Sequence, residues 1–180
     1  MDWSSYPIPA MRLEARFGDR GVPMCAERPQ NIWTMVAEAA AKNPYGEALV
    51  CGSRRMSWRE VVRESARVGA GLRRLGLQPD DRVAFLLGNR IEFVLALFGA
   101  AHAGLVSVLL GTRQQKPEIA YVLNDCGAKA LIHEAVLADR LPDAADVPDL
   151  RHRVSVDDDA ARSHFSSLLA DESLPHANVG

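Results

Sequence analysis

A chain of 180 residues, 48% hydrophobic and 24% charged, has the makeup of a globular protein with one substantial core, which excludes fibrous and globally disordered classes. With 21 Lys and Arg against 23 Asp and Glu the formal net charge is -2, so no basic footprint for a nucleic-acid partner is present. Three cysteines, Cys25, Cys51 and Cys126, are odd in number, far apart and without a C-x-x-C pair. That pattern argues against a disulfide framework or a zinc knuckle and fits a reducing cytoplasm, with each cysteine read as a small buried hydrophobe.

Residues 1–30 carry Pro and Arg without clear periodicity and read as an arm lying over a larger surface. Their opening, "MDWSSYPIPAMRLEARFGDRG", lacks the basic start and apolar run of a secretory signal, so no export is expected. From Asn31 the pattern is regular: Asn31 suits a helix cap, and Ile32, Met35, Val36, Ala39 and Ala40 keep helical spacing up to Pro44. "EALVCG" follows as a short strand. In "SWREVVRESARVGAGLRRLGL", Ser57 and Glu60 form a capping box, Trp58, Val61, Val62, Ala66, Leu72 and Leu75 make the buried stripe, and Gly76 with Leu77 closes the helix. Its "GAGLRRLG" looks superficially like a dinucleotide fingerprint, but it lies inside a helix and its spacing is wrong.

"RVAFLL" is a continuous apolar strand of the kind covered on both faces, and Asn89 with Glu92 repeats the capping logic for the next helix. The segment from Phe93 to Leu110 carries no Asp, Glu, Lys or Arg over roughly 18 residues, the spanning minimum. Gly104 falls where a helix would end and Val106 and Val108 suit a strand, so the run reads as buried helix then buried strand, with no transmembrane segment. Pro117 suits the first turn of a helix through "EIAYVLNDC" stopped by Gly127, and "AKALIH" is the next strand. From Asp139 the chain turns acidic and irregular, without a closing element. The alternation predicts an α/β fold: a mostly parallel sheet with helices on both faces, ligands gathering at strand carboxyl ends. The expected organisation is an arm over 1–30, an α/β lobe over 31–155 and a connector over 156–180.

A set of motifs then points to a family: "SWRE" at Ser57–Glu60, "DDRV" at Asp80–Val83, "NRIEF" at Asn89–Phe93, "AGLVSVLL" at Ala103–Leu110 and "DCGAK" at Asp125–Lys129. In this register the chain, from about Asn31 to His133, resembles the N-terminal lobe of the adenylate-forming superfamily: acyl-CoA synthetases, aryl-CoA ligases, luciferases and peptide-synthetase adenylation domains. It departs at Gly88 and Ser107, where the family favours Pro, and at "GTRQ", Gly111–Gln114, where it favours Asn-Pro-Arg-Leu. The Ser/Thr/Gly-rich phosphate loop, the adenine-binding segments and the C-terminal lysine domain have no counterpart here. The chain is therefore expected to be an incomplete N-terminal lobe.

The resemblance implies an AMP-forming acyl-CoA synthetase as the complete parent, joining a fatty or aromatic carboxylic acid to coenzyme A with ATP and Mg²⁺ through an acyl-adenylate. Phosphoryl chemistry needs backbone N–H groups, a lysine and Mg²⁺ around the phosphates. No catalytic residue is assigned, and the chain alone is expected to be inactive. Arg113 stands at the arginine of the family's Asn-Pro-Arg turn, which implies a contact to coenzyme A phosphate; Lys116 would add positive potential, and a solvated turn arginine is the plain alternative.

His133 and His102 read as structural, His152, His164 and His176 as connector residues, and Asp157–Asp159 as a solvated acidic face, so no metal is assigned. The separated lobe is expected to self-associate through exposed sheet edges. Two other readings stay open: a non-enzymatic binding or regulatory module built on the same lobe, and an adenylation domain from another superfamily branch. An unrelated doubly wound nucleotide-binding domain is not separated from these by fold alone.

Overall fold

The computed structural model describes residues 9–15, 17–157 and 165–169. Within the arm, β1 (Met11–Ala15) and β2 (Gly21–Cys25) pair antiparallel, so the segment read as aperiodic carries a hairpin. Glu14 on β1 accepts a 2.8 Å bond from Arg28, which ties the hairpin to the last residues of the arm.

Asn31 caps α1 (Ile32–Lys42) as expected, its side-chain oxygen accepting from the Thr34 N–H at 2.8 Å. The buried face differs from the expected one. Trp33 and Val36 are buried, whereas Ile32 and Met35 are about half exposed (48% and 50%). One position along a helix is a turn of about 100°, and the helix aims Trp33 at the His102 ring, 4.4 Å between centroids.

β3 (Glu47–Cys51) pairs antiparallel with β4 (Arg54–Ser57), forming a hairpin of its own outside the main sheet. Ser57 ends β4 and caps α2 (Trp58–Arg74) with Glu60 in the full reciprocal box; Gly76, at φ +90°, follows the last turn. Along α2 the buried set is Val61, Ser65, Val68 and the run Gly69–Leu72, while Trp58, Val62 and Leu75 pack at its margin. A Cβ on Gly69 would stand 2.6 Å from the Gly99 carbonyl oxygen, so α2 and its neighbour meet at backbone distance.

The main sheet has four parallel strands in the order β6-β5-β7-β8: β5 (Arg82–Leu86), β6 (Val106–Leu109), β7 (Ala130–His133) and β8 (His152–Ser155). Period-two alternation splits the core in two. Val83, Phe85 and Ile132 face α2 and α3 (Ile91–His102), and Ala84, Leu86 and Leu131 face α4 (Lys116–Cys126). Both layers are dry around the central strand, where residues 83–86 are fully buried. Each such large apolar side chain contributes roughly 1.5–3 kcal/mol.

The stretch after Asp139, read as irregular, is a crossover. Short 3-10 turns at Ala135–Arg140 and Ala144–Asp146 bury Leu141 and Val147 against the α4 face and lead into β8. A final turn, α5 (Phe165–Leu168), buries Phe165 and Leu168 in the α2 layer. Among the described residues no helix is long and apolar enough to cross a membrane; Phe93–Leu110 divides into most of α3 and then β6.

Candidate functional site

The carboxyl ends of parallel strands are where an open α/β sheet offers a crevice, at points where adjacent strands send their connections to opposite faces. β5 leaves through Leu87–Arg90 to α3 on one face, and its neighbour β7 leaves through Glu134 to the other. Side chains of the chain itself fill the gap between them. Glu134 accepts a 2.6 Å bond from the Gly88 N–H. Arg90 donates to Glu92 at 2.8 Å and to Asp157 at 2.9 Å, and lies 3.7 Å from Glu134. Arg54, reaching across from β4, donates to Glu92 at 2.7 Å, and Asp157 also accepts from the Ala135 N–H at 2.7 Å.

Burial pushes the Glu92 carboxyl up, but hydrogen bonds from Arg54 and Arg90 outweigh it and hold the group at about 2. Arg90 moves the same way toward its charged form: burial lowers it, and its bonds to Glu92 and Asp157 more than compensate, leaving it raised. Two guanidiniums thus face three carboxylates in an acid-rich lock.

Glu92 does not cap α3: the cap position is Arg90, with no side-chain cap bond, because charge-assisted bonds to two arginines outcompete a backbone N–H. Asp157 is part of the lock rather than a solvated acidic face, while Asp158 and Asp159 lie outside the described residues. His152 stands in β8, not in a connector; His164 and His176 are outside the described residues. Cys51 is exposed at the end of β3, and Cys25 and Cys126 are only partly buried, so none is a fully buried hydrophobe. His133 is buried with Nδ1 2.9 Å from the Glu134 carbonyl oxygen, and His102 is buried against Trp33.

Across β5 from the lock, β6 ends in the turn Leu110–Gln115. The turn is self-bonded: Gln114 accepts from the Gly111 N–H at 2.9 Å, Gln115 donates to the Arg113 carbonyl at 3.1 Å, and Arg140 donates to the Thr112 carbonyl at 2.6 Å. Arg113 is exposed at this strand end, and Lys116 leans toward Asp143 at 3.8 Å. A cavity of about 300 Å³ lies between β3 (Leu49, Val50, Cys51) and the first turns of α3 (Ile91, Phe93, Val94), and Asn89 and the lock's Arg90 also line it. Of "GAGLRRLG", Gly69–Arg74 is helical within α2, with Leu75 as its cap and Gly76 beyond it, and among the described residues no cluster of three His, Cys, Asp or Glu is placed to hold a metal ion.

The residues that sequence reasoning missed are Arg54, Arg90, Glu134 and Asp157, which are up to 103 positions apart and meet only once β5, β7 and β8 are aligned. No local spacing signals such a set.

Comparison with known proteins agrees with this architecture. The chain is 34% identical over 133 residues to protein Rv1549 of Mycobacterium tuberculosis, covering 73% of this chain and 75% of that protein. It is 36% identical over 106 residues to a feruloyl-CoA synthase of Amycolatopsis sp, covering 59% of this chain but 22% of the synthase. Among solved structures, Mycobacterium smegmatis MbtA superposes with a TM-score of 0.75 at 28% identity, covering 85% of this chain and 29% of MbtA. The chain thus spans less than a third of the synthase and of MbtA. The family described as AMP-binding enzyme matches residues 36–178, most of the chain, and the chain belongs to that family.

Proposed function

We propose that this chain is the N-terminal lobe of an AMP-forming acyl-CoA synthetase, with residues 31–155 as its structural unit. The complete enzyme would convert a carboxylic acid, ATP and coenzyme A to acyl-CoA, AMP and pyrophosphate. The observation that carries the reading is the 36% identity to a feruloyl-CoA synthase over 106 residues. ATP, when bound, supplies the α-phosphorus that the carboxylate attacks. The crevice described here does not fit it: Arg90 and Arg54 are committed to carboxylates, and the glycine cluster is locked in α2. The isolated chain is accordingly proposed to be inactive.

For coenzyme A the fit is better at one point. Arg113 is exposed at a strand carboxyl end and would give a phosphate two parallel N–H bonds. The test is an acyl-CoA formation assay on the product of the complete reading frame, with fatty and aromatic acids as substrates. Formation of acyl-CoA and AMP is expected; AMP without thioester would move the reading to another adenylating branch.

One observation favours a second reading. Rv1549 is matched over 75% of its own length, so a relative of similar extent exists. A stand-alone, non-catalytic lobe would be a stable monomer in solution, and sedimentation velocity over a range of concentrations separates the two.

A further inference from the structure

The outer flank of α2 carries Arg67, Gly71 and Arg74, spaced i, i+4 and i+7 and therefore on one face. α5 sits on that face. A Cβ on Gly71 would overlap the Leu168 carbonyl oxygen and stand 2.6 Å from the Leu168 Cα, so only glycine lets the two backbones touch. Arg67 donates to the Leu169 carbonyl at 2.9 Å and Arg74 to the Ser167 carbonyl at 3.1 Å. Both carbonyls lie at the carboxyl end of the α5 turn, where helix carbonyls take partners from outside the helix. Glu64 holds Arg67 from the other side at 2.9 Å. Phe165 and Leu168 complete the seat by entering the same core layer as Val68 and Leu72, both fully buried.

We infer that residues 165–169 are a strap and that α2 is built to receive it. Gly71 is the seat, Arg67 and Arg74 are clamps on the strap's carbonyls, and Phe165 and Leu168 are its apolar anchors. The strap covers the edge of the α2 core layer and fixes the point from which the chain continues. This holds whether or not the lobe belongs to a ligase, since it uses no ligand.

Hydrogen exchange read by mass spectrometry on the full 180-residue chain tests it. In the wild type the amides of 165–169 exchange slowly. Gly71→Ala should speed them by about tenfold or more while leaving β5 and β7 unchanged, because Ala is favoured inside a helix and only the seat is blocked. Arg67→Met with Arg74→Met keeps the seat and removes the clamps, and should speed the same amides by about threefold or more. Fast exchange of 165–169 in the wild type, or unchanged exchange in the Gly71→Ala chain, would overturn the inference. If Gly71→Ala fails to fold, the double variant decides alone: faster exchange confined to 165–169 supports the strap, and unchanged exchange rejects it.

Discussion

The Glu92 carboxylate, held at about 2 between Arg54 and Arg90, ties the stability of the sheet's carboxyl edge to pH. Its folded value lies below the ordinary 4.5, so the contribution is fully present above that value and is lost as pH falls from about 4.5 toward 2. Allowing for solvent screening, the contribution at neutral pH is about 1–2 kcal/mol. Glu92→Gln should lower stability at pH 7 by that amount in urea unfolding, and should flatten the loss of stability between about pH 4.5 and 2. Equal pH slopes for the two proteins would show that the pair with Arg54 and Arg90 does not form in solution.

At the scale of elements, β8 is the strand most exposed to test. It offers only His152, Arg153, Val154 and Ser155, of which Val154 alone is a large buried apolar side chain. Val154→Ala should cost roughly 1–3 kcal/mol if β8 closes the sheet beside β7, and close to nothing if the segment were a surface connector. This is also where the sequence was hardest to read. α2 and β5 were legible because a capping box, a helical stripe and an unbroken apolar run each act locally. β4 and β8 were not, since four residues headed by Arg or His carry too little alternation, and their partners β3 and β7 supply the pairing. The lock at the strand ends was illegible for the same reason: Arg90 and Asp157 have no sequence relation until β5 and β8 lie in one sheet.

For the whole molecule, no strand among the described residues pairs with the outer edge of β6. Val106 N–H and Leu110 N–H bond to β5, so by alternation the Ser107 and Leu109 amides point away from the sheet. Val106 and Leu109 are also exposed large apolar residues (44% and 57%). An uncharged edge of this kind pairs with other chains, so concentration-dependent self-association is expected in sedimentation velocity. Leu109→Lys should shift the distribution toward monomer by placing a charge at the edge. A wild-type chain that stays monomeric at all concentrations would instead favour the stand-alone lobe.

The most direct measurement of the central claim is a calorimetric titration of the 180-residue chain with ATP·Mg²⁺. The Arg90 lock fills the crevice between β5 and β7, so no saturable heat is expected up to millimolar nucleotide, a regime of affinities weaker than about -4 kcal/mol. A saturable isotherm with a Kd in the low micromolar range, about -8 kcal/mol, would contradict the account, because it would require a phosphate site that this crevice does not provide.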